Sequence, residues 1–358
     1  MNIRLISHFL LLSIILLQFV SCSKKINKSN STAEVIVYPA PPDTARIQYL
    51  TTINNSLQIT GEKSKFAKFV VGEDAPLPIK KPYGVYMKNG KIYVCDLDIG
   101  GLEIIDLETK TFDYFVPKGL GQLKMPINCF VDDKDFIYIA DAYRKQIVIF
   151  DNNRNYVDSF GDTEGYKPTD VVVFDDKIWV ANIKGNSILV YKNDATHQLL
   201  YSIPRAKEGE EGFIYQPTNI SVTDDKVYVS DFGDFTIKIY THEGEYIGVV
   251  GSYGKSMGQF ARPKGIAVDR ESNLYVVDAA FENVQIFNNE GKLMTFFGGP
   301  YKGPGDMWLP AKVTIDYDNL EYFQQYVDKR FSLKYLVFVT NNFGPDKINV
   351  YGYIEAKE

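Results

Sequence analysis

The stretch RPKGIAVDRESNLYVVDAAFENVQIF occupies residues 262–287. Apolar residues recur at every second position in short runs, Ile266 and Val268 first, then Leu274 and Val276. That period marks strands with one buried face. Four acidic residues, Asp269, Glu271, Asp278 and Glu282, punctuate the runs. A carboxylate at the end of a strand either performs chemistry or holds a turn. The choice depends on whether the stretch occurs once.

It recurs. KPYGVYMKNGKIYVCD ends at Asp96, MPINCFVDDKDFIYIAD at Asp141, KPTDVVVFDDKIWVAN at Asn182 and QPTNISVTDDKVYVSD at Asp231. A sixth copy opens with LPAKVTID and resumes at KYLVFVTN, ending at Asn341. Its leading prolines, Pro82, Pro126, Pro168, Pro217, Pro263 and Pro310, are spaced by 44, 42, 49, 46 and 47 residues. A period of that length holds four short strands, one propeller blade. The third and fifth residues after each proline are apolar, with Cys129 standing in once. A second strand follows a polar turn, then a third such as QIVIFD, then a fourth such as YIGVVG. Asp278 is therefore one of six equivalent residues, four others being Asp96, Asp141, Asp231 and Asn182. Asp and Asn both hold turns by accepting backbone N–H bonds, which accounts for Asn182 and Asn341.

The sixth unit ends at INVYGYI without a fourth strand, while ARIQYLTTI, residues 45–53, is a strand with no unit of its own. Pairing the two closes the ring and removes both open sheet edges. The expected fold is all-β: a six-bladed β-propeller closed by an N-terminal strand, with residues 54–81 as connector and 82–353 as blades. The insertion at residues 318–334 places Leu320, Phe323 and Val327 at helical spacing, predicting a short docked helix in the last blade.

The pattern from Pro263 to Gly298 resembles an NHL repeat, and the chain as a whole resembles six-bladed NHL propeller lipoproteins of the bacterial cell envelope. The similarity runs from YPAPPDTARIQYL to about Tyr353. Propellers of this kind host binders, scaffolds and a few enzymes, so the resemblance speaks to fold more than to activity.

Bulk properties agree with a globular chain, at 23% charged and 45% apolar residues. The formal net charge of −6 excludes the basic footprint of a nucleic-acid binder. Near the start, Arg4 precedes the apolar run FLLLSIILLQFV, too short to span a membrane and suited to a secretory signal. It ends in FVSC, which resembles a bacterial lipobox with Cys22 as the lipidated residue. Residues 1–21 then read as a lipoprotein signal peptide, and 22–44 as a flexible tether with a Pro-rich lead. An ordinary secretory signal with an incidental Cys22 is the alternative. Ser23 is not the acidic residue of inner-membrane retention, which points to the outer membrane in a Gram-negative cell. Cys95 and Cys129 sit inside apolar strand patterns and read as small buried hydrophobes, with pairing left open.

Function must lie where the copies differ. In a propeller the loop into each blade and the loop between its second and third strands share one face. On that face the sequence places Tyr143, Arg144, Phe232, Phe235, Arg262, Phe281 and Phe343, aromatics and charges suited to a partner surface. Two residues past each proline lie Gly84, Asn128, Asp170, Asn219, Gly265 and Lys312, expected around the channel. Asn128, Asp170 and Asn219 fall in consecutive blades and form an oxygen set for Ca²⁺. The lactonase-type propellers that the fold class resembles hold a divalent metal this way. Lys312 belongs to the blade opposite Asp170 and offers a fixed counter-charge instead.

His197 and His242 fall in turns on the other face, so no three-His zinc site and no Ser–His nucleophile system can be assembled from them. The leading expectation is a lipid-anchored, non-enzymatic binding or scaffolding module for an envelope protein, peptide or glycan, with no cofactor and no nucleic acid. The alternative is a calcium-dependent, lactonase-like hydrolase centred on Asn128, Asp170 and Asn219.

Overall fold

Each proline opens an innermost strand: Pro82–Lys88, Pro126–Val131, Pro168–Phe174, Pro217–Val222, Pro263–Val268 and Pro310–Asp316. From each, the chain meanders outward through antiparallel neighbours, giving one four-stranded sheet per repeat. In the fifth, Ile266 faces Val276 and Leu274 faces Phe287, the register that the alternation in residues 262–287 implies. The innermost strands pack side by side around a closed ring. The protein is a six-bladed β-propeller. The computed structural model describes residues 35–61 and 75–357; residues 1–21, read from sequence as a signal peptide, Cys22 and part of the connector lie outside them. Among the described residues no helix is long and apolar enough to cross a membrane.

Six buried apolar clusters hold the ring, and each lies between two neighbouring blades. Trp179, Ile188 and Val190 of blade 3 meet Ile220, Val229 and Tyr240 of blade 4. Cys95 and Leu102 of blade 1 meet Cys129 and Ile139 of blade 2. Val85 and Met87 of blade 1 meet Leu336, Phe338 and Val350 of blade 6. No blade buries its own faces, so the ring is stable only when complete.

Completion comes from the N-terminal segment. Residues Ile47–Ile53 pair antiparallel with Ile348–Ala356, Ile47 opposite Tyr353 and Ile53 opposite Ile348. Blade 6 goes one strand further than the sequence pattern suggests. Val37–Tyr38, inside the segment read as Pro-rich lead, pairs with Gln48 and Ile47 as a fifth strand. The insertion of blade 6 forms two 3₁₀ turns, Leu320–Tyr322 and Gln324–Tyr326, where helical spacing predicts a helix. Phe323 is still buried against Phe338, with Leu320 and Val327 packed on the same cluster. Aromatic and β-branched residues in so short a segment favour this docking over continuous helix. Asn319 is held by Asp316 and donates no cap of its own.

One irregularity is common to all six blades. The inner ladder slips just past the proline, as between Pro168 and Asp170 or Pro263 and Ile266. Proline brings no N–H to the ladder, and a bulge there re-aims the next side chains. Those are the residues that meet at the channel.

Candidate functional site

The recurrent Asp organises the loop face. Asp278 accepts N–H bonds from Ala261 and Arg262 on one oxygen and from Ala280 and Phe281 on the other. It thereby joins the loop leading into blade 5 to the loop between its second and third strands. Asp96 does the same with Lys80, Lys81, Asp98 and Ile99, and Asp141 with Lys124, Met125, Tyr143 and Arg144. Asn182 and Asn341 manage half of this. Their oxygens accept from Lys167 and Trp308, while their nitrogens donate to Gly165 and Asp346 carbonyls. The question raised by Asp278 is settled: it is a fastener, repeated around the ring.

A second fastener, not visible in the repeat pattern, sits mid-way along the third strands. Lys238 reaches Asp231 at 2.8 Å and Asp234 at 2.9 Å. Gln285 accepts from Gly258 N and donates to Gln259 O, and Asn349 donates to Asp306 O. Blade 1 carries Glu103 at this place, fully buried, with both carboxyl oxygens unpaired among the described residues. Burial first, and Asp96 beside it second, push its carboxyl well above the usual range.

On this scaffold the loop face displays exposed aromatic and Met side chains. Tyr143 is 68% exposed and lies under the Lys124 ammonium at 5.2 Å. Phe232, Phe235 and Tyr253 form a chain of rings, with centroids 5.9 and 4.8 Å apart. Tyr301 stacks on Trp308 at 6.1 Å, and Lys81 lies over Phe343 at 5.6 Å. Sequence reading placed Tyr143, Phe232, Phe235, Phe281 and Phe343 on one face, and the structure brings all five there. It missed Tyr253, Met257 and Trp308. GSYGKSMGQF, residues 251–260, reads as loop punctuation, yet Phe260 is a buried anchor and Tyr253 and Met257 are left pointing to solvent. Arg144 is no free contact: its guanidinium donates to Leu120 O, Gln122 O and Gln146. The outer strands also expose apolar residues, Ile247 and Val249 or Met294 and Phe296, but singly at alternate positions.

The channel is narrow. A Cβ on Gly84 would come within 2.7 Å of Asn128 Cα, and one on Gly265 within 2.5 Å of Lys312 Cα. Only glycine lets these inner strands approach so closely. Across the axis, Lys312 Nζ meets Asp170 Oδ2 at 2.7 Å, both side chains buried. The same oxygen accepts from Asn219 Nδ2 at 3.1 Å and Ile220 N at 3.0 Å, and Oδ1 accepts from Val171 N at 3.0 Å. Asn128 turns its amide nitrogen to Thr169 O at 2.7 Å. One residue nearer the loop face, Lys264 is 7% exposed and lies 4.7 Å over the Tyr83 ring. Burial and the charge of Arg262 pull its ammonium down to about 8.

A family model described as "6-bladed beta-propeller" matches residues 209–282, which span the fourth blade and half of the fifth. No curated protein matches the chain. Solved structures do. A protein of unknown function from Bacteroides thetaiotaomicron superposes with a TM-score of 0.59 at 13% identity, covering 87% of this chain and 76% of its own. A gluconolactonase from Xanthomonas campestris gives 0.54 at 16%, covering 90% and 98%. A virginiamycin B lyase from Staphylococcus aureus gives 0.52 at 11%, covering 84% and 87%. At these identities the likeness is one of fold.

The Asn128, Asp170 and Asn219 set does not fit the calcium ion proposed for it from sequence. Ca²⁺ takes six to eight oxygens and favours carboxylates. Here the one carboxylate already receives an ammonium and three N–H groups, and a cation beside Lys312 would meet a like charge. Among the described residues, no three His, Cys, Asp or Glu side chains gather as a metal site. Lys312 acts as the counter-charge to Asp170, the other reading that its opposite blade allowed.

Proposed function

We propose that the protein is a non-enzymatic binding module that presents its loop face to a protein partner in the cell envelope, on a lipid tether through Cys22. The single observation that carries this is the loop face itself. Exposed aromatic and Met side chains from blades 2, 4, 5 and 6 stand on loops fastened by the buried Asp ring. Rigid aromatic anchors with charges between them suit a protein interface, and little ordering entropy is lost when the partner docks. The envelope setting rests on the signal-like segment, the lipobox-like FVSC and the NHL-like repeat. The channel supports the same reading, because an ion pair fills the place where a catalytic centre would lie. The enzyme activities printed for the lyase and the lactonase remain properties of those proteins.

The test is affinity capture from envelope extract on the full chain, comparing wild type with Tyr143→Ser combined with Tyr253→Ser. The reading expects a saturable protein partner whose capture falls tenfold or more in the variant. Capture that is equal in both, or mapped to the outer strands, contradicts it.

A further inference from the structure

We infer that the loop-side mouth of the channel is an oxyanion site, built from the Lys264 ammonium, the Arg262 guanidinium and the Tyr83 hydroxyl. The ligand group would be a carboxylate or a phosphate on a small molecule. This goes beyond the partner surface and does not depend on it.

Lys264 is the starting point. The residue is 7% exposed, and among the described residues its ammonium has no carboxylate partner and no hydrogen-bond acceptor. The contact it makes is with the face of the Tyr83 ring. A lysine whose stem is buried and whose ammonium takes no acceptor from the protein is placed to be completed by a ligand. Lys238 shows how this fold otherwise treats a buried lysine: two carboxylates and a carbonyl surround it.

The surroundings add positive charge. Arg262 is exposed at the rim, one residue before Pro263, and its charge is felt by both Lys264 and Tyr83. Among the described residues the Tyr83 hydroxyl makes no hydrogen bond, so it is free to donate, and burial pushes it up to about 12. Below them lies the Lys312–Asp170 pair, which adds no net charge and closes the passage. Lys264 and Arg262 thus bring two cationic side chains to the mouth of a chain whose net charge is −6, while the Asp carboxylates of the same face are taken up by backbone N–H groups. Such a local reversal concentrates anions. An ammonium, a guanidinium and a hydroxyl supply donors for an oxyanion, and the two cations among them repel a metal ion. The closed floor limits the ligand to a group that enters from the loop face.

The bulge past each proline explains why the site falls here. It aims the residue after the proline toward the axis, and only blades 1 and 5 place polar, long side chains there, Tyr83 and Lys264. Blades 2, 3, 4 and 6 carry Ile127, Thr169, Thr218 and Ala311.

The experiment is calorimetric titration of the full chain at pH 7, with inorganic phosphate and with glucuronate, at ionic strength fixed by KCl. Saturable one-site binding of at least one probe is expected, and the preferred probe tells phosphate from carboxylate. Lys264→Met and Arg262→Gln should each weaken it tenfold or more. Lys292→Met, at an exposed turn of the same blade, should leave it unchanged, as should Tyr143→Ser combined with Tyr253→Ser. A second measurement guards against misfolding. The thermal midpoint of Lys264→Met should match or exceed that of wild type, and the probe should raise only the wild-type midpoint. Failure of both probes to saturate, or wild-type affinity in Lys264→Met, overturns the site while leaving the partner surface standing.

Discussion

Replacing Lys312 by Met removes the ammonium that spans the channel while keeping most of the side chain's volume. Asp170 is then a carboxylate 1% exposed that has lost its one charged partner. Breaking a buried pair from one side destabilises by about 3–5 kcal/mol. Asp170 keeps Asn219, Ile220 and Val171 as donors, so the loss should fall at the lower end, about 3 kcal/mol. Asp170→Asn strands the lysine instead, near Lys264, and should cost at least as much. Removing both charges together costs far less, because a neutral pair of similar volume often replaces a buried ion pair within about 1 kcal/mol. The double variant should therefore recover roughly 2 kcal/mol or more relative to the sum of the singles. Urea denaturation followed by fluorescence reads these values as midpoint shifts at constant slope. Against a total stability of about 5–15 kcal/mol the effect is easily seen. Two single variants that each cost under about 1 kcal/mol and simply add would refute the pairing. Calcium should leave the wild-type midpoint where it is; a marked rise would restore the metal reading.

Three further outcomes follow from the same structure. Glu103 binds its proton more tightly folded than unfolded, so its contribution is complete below the ordinary carboxyl range and is lost as pH climbs through the raised folded value, at about 1.4 kcal/mol per pH unit. Glu103→Gln should flatten that slope and be the more stable protein at pH 7; unfolding curves that stay parallel to wild type from pH 5 to 8 would count against it. Cys95 and Cys129 are free thiols inside the core between blades 1 and 2, and burial pushes Cys95 up, so both should resist a thiol reagent until the protein is denatured. Thiol titration finding none in denaturant would mean a disulfide instead. Deleting residues 36–53 strips Ile47, Leu50 and Ile53 from two clusters, about 1.5–3 kcal/mol each, and leaves the outer edge of Ile348–Ala356 unpaired. The truncated chain should aggregate or lose its cooperative transition, and a sharp monomeric transition would be a contrary result.

The fold was legible because its signals repeat. A proline, an alternation and an Asp or Asn recurring six times say more than any one copy, and the missing fourth strand of the last unit pointed directly to residues 45–53. The function of Asp278 was legible for the same reason. What escaped was local. The 3₁₀ turns of blade 6 share the spacing of a helix, and only packing against Phe338 selects between them. Val37–Tyr38 is two residues long, below the reach of any periodicity. The channel was placed correctly as a ring of residues two past each proline. Its chemistry was left between a metal and the Lys312 counter-charge, because which of them Asp170 faces depends on reach across the axis. Lys264 and Tyr83 stayed hidden because the bulge, which turns them inward, leaves no mark in the alternation. Glu103 occupies a strand position held by Val148 and Leu189 in two blades and by Lys238, Gln285 and Asn349 in the others, so a polar residue there did not set it apart, and its missing partner shows only in the fold.

The central claim is that the loop face, and no other surface, meets the partner. A photo-crosslinking residue placed in cells at Tyr143 or Tyr253, and for comparison at Ile247 or Met294 on the outer strands, tests it directly. The account predicts a discrete crosslinked protein species from the first two positions and none from the second two. Crosslinks confined to the outer strands would contradict it.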